Sequence, residues 1–365
     1  MTEKRKLTTG KKVLLGFLAF LALILVAAII YVIYVFATYY RIEDNLELEV
    51  GGSGSGAVSV GKEQTVISYN IGFGAYTPDF GFFMDGGTES RAKSKESVLE
   101  VMDGITAFLK EKDADFMFIQ EVDQDATRSY HVDESKIITD ALDEYSYVYG
   151  INYDSPYLFY PFTQPHGKSL AGLMTMSKYE IESSIRRSLP IEDTLMKFLD
   201  LDRCYTVSRV PTDNGKELLL YSIHLSAYTS DGTIATQQLE MLIEDMQTEY
   251  EKGNYIVCGG DFNKDILGDS SVYFGNADKE YTWAQPVPEE LFNGTDLKLI
   301  APFDGDNPVP SCRNADGPYY DGQFVLTVDG FIVSDNVSVI NSNVYDLGFE
   351  YSDHNPVYMT FVLDK

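Results

Sequence analysis

The sequence predicts a layered α+β domain held behind one membrane-crossing helix. Three observations lead there. An uncharged apolar run extends from Val13 to Ala37 near the N-terminus. Beyond it, short apolar strands and helical periodicities alternate irregularly, with the strands in clusters, which fits a layered sandwich better than a simple parallel sheet. The chain has 365 residues, 44% of them hydrophobic, which is enough material for a sizeable buried core.

Residues 1–12 read as a cytoplasmic basic tail, with Lys4, Arg5, Lys6, Lys11 and Lys12 set against Glu3. Residues 13–40 read as a transmembrane signal anchor, because a helix of about 20 apolar residues spans a hydrocarbon core. Tyr31, Tyr34, Tyr39 and Tyr40 gather near its outer end, where amphipathic rings prefer the membrane interface. A cleaved signal peptide would carry an apolar core of only about 7–15 residues before a small-x-small site. Here the run is longer and closes on Ala37-Thr38-Tyr39-Tyr40. No polar face interrupts it, which argues against a buried core helix. Basic residues precede the run, while Glu43, Asp44, Glu47 and Glu49 follow it. The positive-inside rule therefore predicts a single-pass cell-membrane protein with a cytoplasmic N-terminus and an extracellular domain.

Residues 41–61 read as an acidic and Gly/Ser linker, with Gly51-Gly52-Ser53-Gly54-Ser55-Gly56 flexible by composition. A single globular domain fills residues 62–365. Its predicted strands are Thr65–Tyr69, Phe116–Ile119, Leu218–Ile223, Tyr255–Cys258, Val325–Val333 and Val357–Leu363, rich in β-branched and aromatic residues. Helical spacing is clearest over Arg91–Lys112, where Val98, Val101, Met102, Ile105 and Leu109 recur, and returns over Ser135–Leu142 and Thr233–Tyr250. No 20–50-residue period is visible after residue 61, which argues against a solenoid or propeller. The aromatic content of 13% argues against disorder despite the charge.

The net charge is −28, and residues 1–41 contribute +5, which leaves −33 on the remainder. Such a surface repels polyanions at long range, and no basic run offsets it. Nucleic acid is therefore a disfavoured partner, although a bound cation reverses the sign locally. Cys204, Cys258 and Cys312 are far apart and lack zinc-type spacing. They read as buried thiols, with one disulfide open to an exported domain.

Several apolar strands end in residues that bind metal or phosphate. Asn70 closes the first strand, and Gln120-Glu121 follows the second. His224 closes the third, and Gly260-Asp261-Phe262-Asn263 follows the fourth. Asp329 lies inside Val325–Val333, and Ser352-Asp353-His354-Asn355-Pro356 precedes the last strand. Any one of these has an ordinary reading as a turn, a solvated carboxylate or a structural histidine. Strand ends that meet at one edge of a layered fold gather such groups into one site.

In this order and combination, the motifs resemble the endonuclease/exonuclease/phosphatase superfamily, which includes deoxyribonuclease I-like enzymes and neutral sphingomyelinases. The match spans about residues 64–363. The resemblance implies a four-layer α/β/β/α sandwich with the site at one end, and a metal-dependent phosphoric ester hydrolase. Glu121, Asn70 and Asp353 are the implied ligands of Mg²⁺, with Mn²⁺ as a substitute. Hard cations take oxygen ligands of this kind, and the lack of a Cys/His cluster disfavours zinc. Asp261 is expected to orient or deprotonate the attacking water, with Asn263 holding that water or a phosphate oxygen. His354 would face the scissile phosphate with its tautomer fixed by Asp329, and His224 would stabilise charge on the phosphate oxygens. Arg128, Lys168, Arg186, Arg187 and Arg203 are candidates for binding the substrate phosphate, and Tyr153 for lining the pocket.

A phospholipid head group or small phosphoester is the preferred substrate, because tethering concentrates the site near a bilayer. An extracellular nuclease is the alternative, as is a catalytically silent binding protein of the same fold. No protein partner is implied.

Overall fold

The apolar run folds as one helix, α1 (Thr9–Thr38), with none of its residues buried. It is long and apolar enough to cross a membrane. The computed structural model describes residues 8–192, 197, 201–227, 233–275, 284–320 and 322–365.

The first half of the domain holds strands β1 (Leu46–Glu47), β2 (Gly51–Gly52), β3 (Glu63–Asn70), β4 (Phe116–Asp123), β5 (Ser146–Leu158) and β6 (Gly167–Ser177). After these come β7 (Ser183–Ser188), β8 (Cys204–Pro211), β9 (Glu217–His224), β10 (Tyr255–Asp261) and β11 (Leu297–Ile300). The chain ends with β12 (Cys312–Arg313), β13 (Val325–Leu326), β14 (Asp329–Ser334), β15 (Val337–Val344) and β16 (Val357–Leu363). Helices α2 (Lys95–Lys112), α3 (Glu134–Ala141), α4 (Thr233–Glu251) and the short α5 (Ser270–Phe274) lie between them.

Two seven-stranded sheets result, ordered β1-β7-β8-β9-β10-β14-β11 and β15-β16-β3-β4-β6-β5-β2. Alternation along each strand builds the layers. In β4, Phe116 and Phe118 face the opposite sheet, while Met117 and Ile119 pack under α2 and α3. In β9, Leu218 and Leu220 face the first group, while Leu219, Tyr221 and Ile223 pack under α4. Both faces are buried, which is why these strands read as continuous apolar runs. The order helix, sheet, sheet, helix is the four-layer sandwich that the sequence predicted.

Helix α4 turns Ala235, Leu239, Leu242, Ile243 and Met246 inward at helical spacing. Helix α2 starts at Lys95 rather than Arg91, because the Ser94 side chain caps it by accepting a hydrogen bond from the Ser97 amide at 3.1 Å.

Two expectations are corrected. The single strand predicted over Val325–Val333 is broken into β13 and β14. The amides of Thr327, Val328 and Asp329 donate to the hydroxyls of Ser270 and Ser311, not to a neighbouring strand. The second correction concerns the Gly/Ser stretch expected to be a flexible linker, which instead adds to the sheet edges. Leu46 pairs with Arg186 and Gly51 with Tyr147. The Ser53 and Ser55 amides donate to Tyr145 and Lys178 carbonyls at 3.1 and 2.9 Å. A Cβ on Gly54 would lie 2.5 Å from the Ser177 carbonyl oxygen, so this glycine serves close packing. Cys204, Cys258 and Cys312 are free and buried, as expected.

Candidate active site

The sheet register brings the polar strand ends to one edge. Strands β3 and β4 run parallel, and β3 ends at Asn70 opposite Gln120, one residue before Glu121. Strands β9 and β10 run parallel and finish together, with His224 opposite Asp261. Strand β14 is antiparallel to β10 and begins where β10 ends, with Asp261 opposite Asp329. Strand β16 is antiparallel to β3, so the Asp353-His354 lead-in arrives at the same edge. The Ser352 hydroxyl fastens it there by donating to the Asn70 carbonyl at 2.8 Å.

Local backbone shape aims two of these groups. Between Ile119 and Val122 the pairing of β4 with β6 is interrupted, and Glu121 adopts the left-handed conformation at φ 56°. Non-glycine residues seldom hold that shape, and it concentrates at functional sites. On β10, Gly260 sits at φ 153°, where a Cβ would lie 2.1 Å from the Ile223 carbonyl oxygen. Only glycine lets β10 pass β9 so closely and deliver Asp261.

Asn70 stands at the centre, its amide nitrogen 3.2 Å from Glu121 and 3.0 Å from Asp261. His224 Nε2 lies 3.6 Å from Asp261 and 4.0 Å from Glu121. His354 Nε2 approaches Asp261 at 3.8 Å from the other side. Behind it, Nδ1 is 2.7 Å from Asp329, which also accepts from the Ser311 hydroxyl at 2.7 Å. The Asn263 amide N–H donates to Asp261 at 2.8 Å, while the Asn263 side chain donates to the Leu225 carbonyl at 2.8 Å. That second bond commits its nitrogen to the backbone and leaves its oxygen for the cavity.

Electrostatics follow from burial. Asp261 is pushed up to about 7 by burial, with Asp329 nearby adding to the effect. Burial raises Asp353 to about 6, with Glu121 contributing. His224 is held well below the ordinary imidazole range by burial and by Arg203, so it is neutral. Burial opposes the charge on His354 most strongly, but Asp329 and Cys312 together raise it well above that range.

This donor set fits a hard divalent cation. Buried carboxylates that resist ionising next to one another are stabilised in the charged form by a cation among them. Asp261, Asp329 and His354 offer atoms within 4.8 Å of one another. The Asp329–His354 contact is already a hydrogen bond, and Asn70 Oδ1 accepts from the Gly72 amide at 3.0 Å, whereas Glu121 and Asp353 present carboxylates to the cavity.

These groups open onto a cavity of about 820 Å³. Of the sequence candidates, Glu121, Arg128, Tyr153, Arg203, His224, Asp261, Asn263, Asp353 and His354 line it. Asn70 and Asp329 lie just beneath and hold those that do. Arg128 is clamped by Asp123 at 2.8 Å and stacks 3.8 Å above the Phe73 ring. Lys168 does not line the cavity and instead pairs with Asp125. Arg186 is fully buried and binds the Ile151 and Asp202 carbonyls at 2.8 and 2.9 Å, a structural clamp on the sheet edge. Arg187 pairs with Asp44 and Asp245.

Sequence reasoning missed Asn152, His166, Cys312 and Arg313, all of which line the cavity. Asn152 Nδ2, Arg203 Nε and Arg313 Nε are buried without a hydrogen-bond partner among the described residues. Buried donors of that kind are normally satisfied, and a bound anion would satisfy them. Cys312 Sγ lies 3.6 Å from His354 Nε2.

Comparison with known proteins agrees with this architecture. The chain is similar over 88% of its length to ANGEL2, a 2′,3′-cyclic phosphatase solved with adenosine-2′,3′-vanadate, at 16% identity and TM-score 0.57, covering 99% of that chain. An endonuclease/exonuclease/phosphatase from Beutenbergia cavernae gives 17% identity and TM-score 0.56, covering 83% of this chain and 72% of that one. The human Nocturnin catalytic domain with bound sulfate gives 15% identity and TM-score 0.52, covering 86% and 97%. These likenesses concern the fold. No curated protein matches the sequence. The model of the endonuclease/exonuclease/phosphatase family matches residues 67–354, most of the chain, so the protein belongs to that family of phosphoester hydrolases.

Proposed function

We propose that this protein is a membrane-anchored, Mg²⁺-dependent phosphoesterase whose domain lies outside the cytoplasm. The observation that supports the chemistry best is the meeting of Asp261, the His354–Asp329 pair and the Asn70–Glu121 pair beneath a cavity where Arg203 Nε and Arg313 Nε have no partner among the described residues. Held by Asn70, Glu121 and Asp353, the cation would supply charge neutralisation to the phosphoryl oxygens, and Mn²⁺ is an admissible substitute.

The chain's own residues divide the remaining work. Asp261, with its affinity for a proton raised to about 7, takes a proton from the attacking water at its carboxylate oxygen. Asn263 orients that water through its side-chain oxygen. Neutral His224 donates a hydrogen bond to a phosphoryl oxygen. Positively charged His354, held in one orientation by Asp329, faces the phosphate through Nε2 and gives the proton there to the leaving oxygen as its bond to phosphorus breaks. Arg203 and Arg313 draw the substrate anion into the cavity.

Turnover of bis-p-nitrophenyl phosphate and p-nitrophenyl phosphate by the purified full chain, with and without Mg²⁺, tests the assignment. Mg²⁺-dependent release of p-nitrophenol is expected, and its absence on both esters would favour a silent binding protein. The acidic surface makes plasmid DNA a poorer substrate than either ester.

Anchoring and orientation rest on α1 and the charge asymmetry around it. An epitope tag after Lys365 should be stained on intact cells, while one before Met1 should be stained only after permeabilisation. The reverse pattern would overturn the topology.

A further inference from the structure

Resting on the anchored phosphoesterase reading above, we propose that the tip of the β5–β6 hairpin is a second membrane contact, seated in the outer leaflet. It opens the catalytic cavity toward the phosphoester head group of a bilayer lipid.

Residues 155–165, Ser-Pro-Tyr-Leu-Phe-Tyr-Pro-Phe-Thr-Gln-Pro, carry no charge. Four of their large side chains are exposed: Tyr157 by 40%, Phe159 by 45%, Tyr160 by 53% and Phe162 by 73%. Soluble surfaces seldom gather rings in this way, and such patches mark interaction sites. The loop carrying them is held in place, not loose. Gln164 accepts from the Ser90 amide through its side chain at 3.0 Å, Arg91 Nε donates to the Pro165 carbonyl at 2.8 Å, and the His166 amide donates to the Tyr160 carbonyl at 3.0 Å. The rings are therefore presented outward by a fixed backbone.

The anchor helix identifies what they meet. The Phe159 amide donates to the Tyr31 hydroxyl at 3.1 Å, and their rings lie 5.9 Å apart. Just beyond the helix, the Tyr40 hydroxyl donates to Asp154 at the base of the same hairpin. From Val13 to Tyr31 the helix rises about 27 Å at 1.5 Å per residue. That nearly spans a hydrocarbon core of about 30 Å, so Tyr31 marks the outer interface. A loop bonded to Tyr31 shares that depth, where tyrosine and phenylalanine rings are favoured. The occupant of this surface is thus the bilayer that the helix already crosses.

The same rings lead to the active site. Phe159 contacts Phe162 at 5.6 Å, Phe162 contacts Tyr160 at 5.7 Å, and Tyr160 contacts Phe83 at 5.7 Å. Tyr160 and Phe83 form part of the cavity wall, together with Phe82, Leu158 and the exposed Met84. One apolar surface therefore runs from the anchor to a cavity whose floor holds Asp261, His224 and His354. An amphiphile with a polar phosphoester and apolar chains matches that order, whereas a fully water-soluble ester leaves the apolar wall uncovered.

The test uses the full chain in nanodiscs of phosphatidylcholine, phosphatidylethanolamine and phosphatidylinositol phosphate in equal parts. An environment-sensitive fluorophore on Phe162→Cys should be quenched when brominated lipids are included. The same label on Ile340→Cys, exposed on the opposite edge of the sheet, should not be. Replacing Phe159 and Phe162 together by serine should lower kcat/KM for release of lipid head group about tenfold, because the site loses its hold at the bilayer. Turnover of bis-p-nitrophenyl phosphate should stay within about twofold, since neither ring lines the cavity. An unquenched label at position 162 overturns the membrane seat. Equal losses on both substrates, or a chain that cleaves the soluble diester and no lipid, overturn the lipid assignment. Quenching by a chain that hydrolyses neither substrate would support the seat and overturn the phosphoesterase reading instead.

Discussion

Replacing His354 by alanine is expected to lower turnover on a soluble phosphodiester by roughly 10³-fold, within the range that positioned acid–base groups contribute. The loss has a structural cause. His354 Nε2 is 3.8 Å from Asp261 and Nδ1 is 2.7 Å from Asp329, so one ring links the proposed base to a buried carboxylate. Asp329 acts through this ring, because its Oδ2 is already shared between His354 and Ser311. Asp329→Asn should therefore cost nearly as much as His354→Ala, and the double variant little more than either alone. Non-additivity of that kind is expected of groups acting as a unit. Thermal unfolding should show all three variants folded. Additive losses would separate the two residues and remove the positioning role of Asp329.

Glu121→Gln is the second large effect. The amide can still accept from Asn70, so the local hydrogen bond at 3.2 Å survives while the negative charge is lost. Activity at a fixed Mg²⁺ concentration should fall by at least about 10²-fold, and the Mg²⁺ concentration for half-maximal activity should rise by about tenfold or more. A titration of rate against Mg²⁺ separates the two components. Activity lost with an unchanged Mg²⁺ midpoint would take Glu121 out of the ligand set and shift attention to Asp261, Asp329 and His354, whose atoms cluster within 4.8 Å. Isothermal titration of Mg²⁺ into each variant provides a reading that does not depend on turnover.

Much of the site was legible because its residues interrupt a strong pattern. Asn70, His224 and Asp261 each close an apolar strand buried on both faces, where a polar group is expensive unless it has a partner or a task. Parallel neighbours then carry those ends to one edge. The same logic failed for isolated cations. Lys168 and Arg203 look alike in sequence, yet one pairs with Asp125 outside the cavity and the other lines it.

The hairpin β5–β6 escaped notice because β5 mixes tyrosine with glycine, asparagine and serine and its outer half is only partly buried. The Gly/Ser stretch misled for a related reason. Composition measures how freely a chain moves alone, while Gly54 packs against a neighbouring carbonyl only once a sheet edge exists.

By itself, the sequence determined the apolar helix and where apolar strands end in polar residues, because hydrophobic periodicity and its interruptions are local properties; the four-layer sandwich and the eight candidates Asn70, Glu121, His224, Asp261, Asn263, Asp329, Asp353 and His354 came from the order of the motifs and the family they resemble. The tertiary structure alone decided which arginines reach the cavity, where the hairpin tip sits and how Glu121 is turned inward. Those depend on strand register, and a shift of one residue in register exchanges the faces of a sheet.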